Sequence, residues 1–218
     1  MTRRGFSLLE ATVGLALFAV LSLLVFAMFT SGVRSTNLVY LRHTLQGDLS
    51  RSLGRLQVDA RRASANLAVT SSRQIANLEG NLVHRDGLCL PDLKDWSAAS
   101  SYDANARPLW DQYITYYPTT IAPGRLMRQL YRPAGAPYQA PMTGFGPAFL
   151  NDDPTANVGN LQTQVLAEDV EDFLVTTDLA NQSLLVTILL RKRGGRAPGG
   201  SRIQDERLQT STRIKMGN

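Results

Sequence analysis

The chain has 218 residues, 44% of them hydrophobic and 19% charged, and it is long enough for one domain with a buried core beside an apolar segment of about 25 residues. Its net charge of +5 is concentrated beyond residue 190, unlike the basic face of a dedicated nucleic-acid-binding domain. A single cysteine excludes an intramolecular disulfide and a cysteine-based metal site.

The first element is an uncharged apolar run from Ala11 to Phe29. Its 19 residues would reach about 28 Å as a helix, close to the hydrocarbon thickness of a bilayer. Arg3 and Arg4 precede the run, so the N-terminus is expected in the cytoplasm and the rest of the chain outside. Glu10 stands at the head of the run, where a carboxylate in lipid needs a partner.

Three interpretations of this segment compete. A cleaved secretory signal is disfavoured, because the run exceeds an h-region of roughly 7–15 residues and no small-residue cleavage site follows Phe29. A plain single-span anchor fits the length and the orientation. It leaves Glu10 as an unexplained cost of roughly 2.5–3.5 kcal/mol at the helix centre, and less near its end.

The third interpretation explains Glu10. The pattern runs through Gly5, Phe6, Ser7, Leu8, Leu9 and Glu10 behind a short basic leader. It resembles the N-terminal signature of type IV pilins and type II secretion pseudopilins. The resemblance implies cleavage after Gly5 by a prepilin peptidase, N-methylation of Phe6 and retention of the apolar helix. Cleavage would leave an ammonium group at Phe6, and the amine of the same chain is one candidate partner for Glu10. The resemblance implies pairing with the Phe6 amine of a neighbouring subunit, which would set the register of assembly.

Beyond the apolar run, leucine and alanine recur every three or four residues, which predicts that the helix continues. The stripe comprises Leu38, Leu41, Leu45, Leu49, Leu53, Leu56, Ala60, Ala63 and Leu67. The opposite face carries polar and charged residues, among them Arg55 and Asp59, which can pair at i,i+4 spacing. One helix is therefore expected from Phe6 to about Asn66, with the stripe docked on a head domain.

The head is expected to be a meandering antiparallel sheet. Its strands are predicted at Tyr113–Tyr117, Leu126–Arg132, Thr163–Ala167, Asp172–Thr177, Ser183–Arg191 and Leu208–Met216, on β-branched, aromatic and alternating patterns. Val69–Val83 could form a strand pair. Asp86–Pro108 is expected as a loop that Trp96 and Trp110 hold on the core, and Pro133–Pro154 and Arg193–Asp205 are also expected as loops.

This order predicts an α+β fold, a long N-terminal helix packed on an antiparallel β-sheet head. The expected division is a leader at 1–5, a transmembrane and assembly helix at 6–30, an amphipathic continuation at 31–67 and a β-rich head at 68–218. Several short segments of the head follow one another in the same order as in the PilW-like and J-type minor subunits, which the head therefore resembles. The resemblance implies a non-enzymatic subunit of a tip or priming complex, held in the bacterial inner membrane with a periplasmic head before it enters a pilus or pseudopilus.

The partners that the resemblance implies are other minor and major pilins or pseudopilins, the prepilin peptidase, the inner-membrane assembly platform and membrane lipid. Ala27 stands where major pilins usually have a proline, which disfavours a major pilin. Glu10 is retained, which disfavours the position that crowns a pseudopilus. The alternative is a membrane-anchored bitopic protein with an adhesive or DNA-binding head.

Catalytic and metal chemistry find little support in the sequence. His43 and His84 are far apart, and Cys89 is expected to pack as a small apolar group. Residues 151–157 offer oxygen ligands but lack the spacing of a calcium loop. The acidic residues between 168 and 172 are interpreted as a charged strand bend or an interface patch. No catalytic residue, metal or cofactor is expected.

The cationic residues near the end of the chain are a candidate binding site. They are Arg191, Lys192, Arg193, Arg196 and Arg202. A mobile basic loop suits phosphate contact without sequence readout, which would make DNA a partner. A solvated surface or a contact with lipid headgroups explains the same charges.

Overall fold

The computed structural model describes residues 8–132, 142, 144–196 and 203–217, with the backbone alone for 193–196 and 203–204. One long helix, α1 (Leu8–Arg62), precedes the sheet. The strands are β1 (Val69–Ser71), β2 (Gln74–Ala76), β3 (Leu82–His84), β4 (Gly87–Asp92), β5 (Gln112–Pro118), β6 (Gly124–Tyr131), β7 (Asn160–Asp178), β8 (Ser183–Arg196) and β9 (Ile203–Lys215). Short 3₁₀ turns lie at Ala65–Leu67, Ala99–Ser101, Pro147–Phe149 and Pro154–Ala156. The predicted α+β architecture is confirmed.

Seven strands form one antiparallel sheet in the order β1-β4-β5-β6-β7-β8-β9, so neighbours from β4 onward follow the chain. β2 and β3 form a separate hairpin, which confirms the strand pair considered for Val69–Val83. Its turn contains Gly80 at φ +80°, a left-handed conformation that glycine adopts without steric cost.

The second half of α1 packs across one face of the sheet. Leu45, Leu49, Leu56 and Ala60 are buried against apolar residues of β4 to β9. Leu38 remains 38% exposed, so docking begins about two turns later than the leucine stripe. The periodicity correctly predicted the face of the helix, because a 3.6-residue repeat keeps these positions on one side.

The strands at the centre of the sheet are covered on both faces. Ile114 and Tyr116 of β5 join the core beneath α1, whereas Tyr113 and Tyr117 pack on the other face under side chains that include Met142, Phe145 and Leu150. Successive residues of a strand point to opposite faces, which explains why all of β5 is buried. Trp96 and Trp110 meet edge to face at 5.9 Å between ring centroids, where they hold the 93–110 connection on the core as predicted.

Three predicted boundaries were wrong. The expected loop at Asp86–Pro108 contains β4, a buried strand whose glycine, proline and aspartate are more typical of loops. Its proline lies past Cys89, the last residue paired with β1, and a strand tolerates proline at such an edge. The two strands predicted between Thr163 and Thr177 are one strand, β7, with an irregularity where Asp169 has φ 58°.

The third correction concerns the basic loop expected at Arg193–Asp205. Ladder pairing between β8 and β9 extends to Arg196 and Ile203, so the hairpin is longer than its glycines indicated. Gly194 and Gly195 fall at an irregularity of the ladder between Arg193 and Arg196, a position where strands commonly hold glycine. Residues 197–202 lie outside the described residues.

Candidate functional site

The first candidate site is the apolar half of α1. Residues 8–29 are all exposed, and no residue of the most apolar stretch of the helix is buried in the head. By length and composition the helix can cross a membrane once. Such a surface, apolar on every side, needs lipid or other helices around it.

Two threonine hydroxyl groups, at the two ends of the apolar half, bond within the helix. Thr12 Oγ1 donates to the Leu9 carbonyl at 2.9 Å, and Thr30 Oγ1 donates to the Ala27 carbonyl at 3.0 Å. A polar group that bonds to its own helix can enter an apolar medium at little cost. These threonines are therefore compatible with lipid or with a bundle of helices.

Glu10 lies in the first turn of the described helix, and its side chain is exposed. The neighbouring Leu8 and Leu9 are 86% and 74% exposed, so Glu10 stands on an apolar outer surface. The predicted processing residues Gly5 and Phe6 lie outside the described residues.

A second cluster joins α1 to the sheet through a buried carboxylate. Asp59 is 4% exposed and accepts a hydrogen bond from Arg128 Nε at 2.7 Å. The Tyr116 hydroxyl also donates to Asp59, and Arg55 Nε lies 3.5 Å from the same oxygen. The predicted Arg55–Asp59 pair is present, but the placement of Asp59 opposite the leucine stripe was wrong. Three residues after Leu56 and beside Ala60, Asp59 belongs to the docked face.

Electrostatics hold this cluster in one protonation state. Burial by itself lowers the pKa of the Arg128 guanidinium, but the Asp59 carboxylate outweighs burial and raises it. Burial, aided by the charge of Asp59, raises the pKa of the Tyr116 phenol. The arginine thus stays charged and the tyrosine neutral, and the three side chains link α1 to β5 and β6.

The cationic residues near the end of the chain occupy different environments. Arg191 is 4% exposed, and its guanidinium contacts Glu79, Glu171 at 3.4 Å and Asp205 at 2.8 Å. The hydrogen bonds that Arg191 donates to Glu79 and Asp205 raise its pKa. A buried, paired arginine is unlike the exposed cation that a phosphate contact requires, so Arg191 fixes the hairpin to the head.

Three of the other predicted cations lie further along β8 than Arg191. Lys192 Nζ lies 3.4 Å from Asp169 Oδ2 and remains about one-third exposed. Arg193 and Arg196 occupy the last positions of β8, opposite Asp205 and Ile203. Arg202 lies outside the described residues.

Sequence reasoning missed one buried cation altogether. Arg85 is fully buried and donates to the carbonyl oxygens of Thr119 at 2.7 Å, Val170 at 2.6 Å and Ile121 at 2.6 Å. Burial, together with the neighbouring Arg73, lowers its pKa to about 10. Backbone oxygens of the β5–β6 connection and of β7 supply these contacts, so no local sequence signal could have identified it.

The remaining candidates have structural partners. His84 Nδ1 lies 3.3 Å from Asp172, and Cys89 is fully buried, which raises its thiol pKa. Asp153 caps the turn after it, and Asn157 donates to the Tyr117 hydroxyl at 2.8 Å. Within the described ranges, no group of three or more histidine, cysteine, aspartate or glutamate side chains could hold a metal ion.

Comparison of the chain with family models, with curated proteins and with solved structures gives no match in any of the three.

Proposed function

We propose that the chain is a minor pilin or pseudopilin, a non-enzymatic structural subunit anchored in the bacterial inner membrane with its head on the periplasmic side. A prepilin peptidase would cleave it after Gly5, and the new terminus at Phe6 would be methylated. The assembly platform would then draw it, with other pilins or pseudopilins, into the tip or priming complex of a filament.

One observation carries this proposal. The apolar half of α1 lies wholly outside the head, while its second half is docked on the sheet, and Glu10 stands exposed at the start of the apolar half. Helices of this kind can bundle through their apolar surfaces. An ammonium group on a neighbouring chain would then compensate each Glu10 carboxylate inside the bundle.

The N-terminus provides the direct test. Mass spectrometry of the protein from its native membrane is expected to find N-methylated Phe6 as the first residue. Met1 retained on the membrane-bound protein would refute processing. That result would favour the alternative of a bitopic adhesive or DNA-binding protein.

A second test separates assembly from insertion. Glu10→Ala is expected to insert normally but to be lost from purified filaments, because a neighbouring amine then has no carboxylate partner. Thr12→Ala is the matched control, since its hydroxyl bonds within its own helix, and this variant should be recruited normally. Normal recruitment of Glu10→Ala would remove the assembly role of Glu10.

A further inference from the structure

The last strand, β9, forms one edge of the seven-stranded sheet. Within the described residues it pairs with β8 alone, along 13 residues, whereas β1 at the opposite edge has three residues. In an antiparallel ladder, alternate residues turn their N–H and C=O groups away from the neighbouring strand, so an edge strand presents a row of backbone groups to a further strand. β9 therefore offers a long edge for strand pairing.

Two contacts give the direction of β9 relative to α1. Arg42 Nε bonds to Glu206 at 2.7 Å, and Ser64 forms a parallel bridge with Gly217. The chain rises about 33 Å from Arg42 to Ser64 as a helix and about 36 Å from Glu206 to Gly217 as a strand. The matching lengths mean that β9 runs beside α1 in the same direction.

Two leucines lie at the margin of the core beside this edge. Leu53 follows Arg42 by about three helical turns, so it lies on the same line of α1 and faces β9. Leu208 shares the inward face of β9 with the buried Ile214. Both leucines pack against the core but are only partly buried. A further strand on this edge would complete their burial, because its inward side chains would lie beside those of β9.

The outward face of β9 is cationic toward the end of the strand. Arg213 and Lys215 are exposed there, and neither forms an ion pair with a described residue. Asp178, two strands away, accepts a hydrogen bond from Asn181 at 2.7 Å. Asp205, at the start of the same face, is paired within the chain. Carboxylates at alternate positions of an added strand would therefore lie opposite two free cations, an arrangement that stabilises strand pairing.

We propose that β9 accepts, as an additional strand, an extended segment of a partner protein in which acidic and apolar residues alternate. The acidic residues face Arg213 and Lys215. The apolar residues cover Leu53 and Leu208 at the margin of the core. About eight residues of the partner span this part of the edge, from 208 to 215.

A second copy of this chain is a poorer occupant of the edge. Antiparallel pairing of two β9 strands would point the apolar halves of their α1 helices in opposite directions, so that both could not enter one membrane. Parallel pairing in register would set Arg213 beside Arg213 and Lys215 beside Lys215, and like charges directly opposite destabilise a sheet. The choice of a different partner rests on the membrane-anchoring part of the proposed function, whereas the strand pairing does not.

The test measures binding of a fluorescent peptide to the full chain in detergent micelles by fluorescence anisotropy. The probe is a peptide of that length in which glutamate and valine alternate, with both ends blocked. Matched peptides carry glutamine or lysine in place of every glutamate. We expect saturable binding of the glutamate peptide, weaker binding of the glutamine peptide and the weakest binding of the lysine peptide.

A charge-neutral variant tests where the peptide binds. Arg213→Gln/Lys215→Gln should weaken binding of the glutamate peptide about two- to thirtyfold, the effect of two cross-strand charge pairs. The control Arg107→Gln/Arg125→Gln removes equal charge from exposed positions elsewhere and should leave the affinity unchanged. An unchanged unfolding midpoint, read by tryptophan fluorescence, shows that each variant is folded.

Methylated peptides test whether the backbone pairs. In an added strand, alternate N–H groups of the peptide point to β9 and the others point to solvent. Methylation of the backbone nitrogen of every glutamate should therefore differ from methylation of every valine, with one peptide losing its binding and the other retaining it. Equal affinities of the two methylated peptides would reduce the contact to charge attraction and overturn the strand pairing.

Two further results would overturn the proposal. The first is a glutamate peptide that does not bind, or that binds the double variant as tightly as the native chain, in which case the cations only protect the edge from pairing. The second is a dimer of the chain alone that the glutamate peptide dissociates, which would make a second copy the occupant. Neither result bears on the membrane anchor, which the N-terminal residue tests separately.

Discussion

The two halves of α1 form one continuous helix, yet their side chains lie in two different surroundings. Residues 8–29 are exposed throughout, whereas residues 45–60 bury a narrow face that includes Leu45, Leu56 and Asp59. Helix formation is therefore common to both halves, and burial is not. Most of the stability of a helix in a protein comes from packing of one face, so the stability of the head should depend on the second half alone.

The comparison also has a mechanical consequence. Because one rigid element crosses the proposed membrane and carries the head, a change in tilt at one end displaces the other. The ion pair between Arg42 and Glu206 lies between the two halves, where the sheet first meets the helix. Substitutions in the two halves test whether the head unfolds independently of the apolar segment. The probes are Trp96 and Trp110, which both lie in the head.

The largest effect is expected at Asp59. Asp59→Ala leaves the buried Arg128 without its carboxylate partner, which should reduce the free energy of unfolding by about 3–5 kcal/mol. Chemical denaturation of the full chain in detergent would measure it. Asp48→Ala removes a carboxylate from the same helix, paired with Arg51 at 3.4 Å near the surface, and should cost less than about 1 kcal/mol. Equal losses would mean that the buried pair contributes no more than a surface pair.

The next largest loss of stability is expected at Leu56, with Leu23 as its control. Leu56 is fully buried and Leu23 is 69% exposed. Leu56→Ala should destabilise the head by about 2–5 kcal/mol, through lost burial and the cavity left behind. Leu23→Ala should change the same transition by less than about 0.5 kcal/mol. A comparable loss at Leu23 would show that the apolar half supports the head directly.

The helix and most strands were predictable because their patterns are local. The 3.6-residue stripe identified the docked face, and the alternation in Leu208–Met216 identified β9 and its buried side. The uncharged run with Glu10 at its head indicated both the candidate membrane span and the residue proposed for assembly. Each signal is carried by residues close together in sequence, where backbone geometry alone decides which face they share.

What could not be predicted depends on contacts between distant segments. The charge of Asp59 favours solvent, and its burial follows from Arg128 on β6. β4 lacks a strand-like composition and exists because β1 and β5 pair with its two edges. The direction of the β8–β9 hairpin relative to α1 follows from the contact between Arg42 and Glu206, residues that no local pattern connects.

A smaller effect, with a dependence on pH, is expected at Tyr116. Tyr116→Phe removes a hydrogen bond to a buried charge and should cost about 1.5–3 kcal/mol near neutral pH. The same change at Tyr40, which is 69% exposed, should cost less than about 0.5 kcal/mol. A loss at Tyr40 as large as that at Tyr116 would contradict the assignment of the buried bond.

The pH dependence has a definite sign. The pKa of Tyr116 is raised in the folded chain, whereas an unfolded tyrosine ionises near pH 10. Its contribution to stability is therefore complete below about pH 10 and falls at higher pH, by about 1.4 kcal/mol for each pH unit. The free energy of unfolding, taken from denaturation curves at a series of pH values from neutral to strongly alkaline, should depend less on pH for Tyr116→Phe than for the native chain. An equal dependence on pH in the two chains would show that Tyr116 has the same pKa in the folded and the unfolded state.

The smallest change in stability is expected at Gly47 of α1, with Gly32 as its control. A Cβ added at Gly47 or Gly32 meets no atom within 4 Å, so alanine fits at both positions. Gly47→Ala, in the docked half, should raise the free energy of unfolding of the head by about 0.5–1 kcal/mol, because alanine loses less backbone entropy in a helix. Gly32→Ala should leave it unchanged, since that turn lies before the first buried residue. Equal stabilisation by both would mean that α1 unfolds with the head as one unit over its whole length.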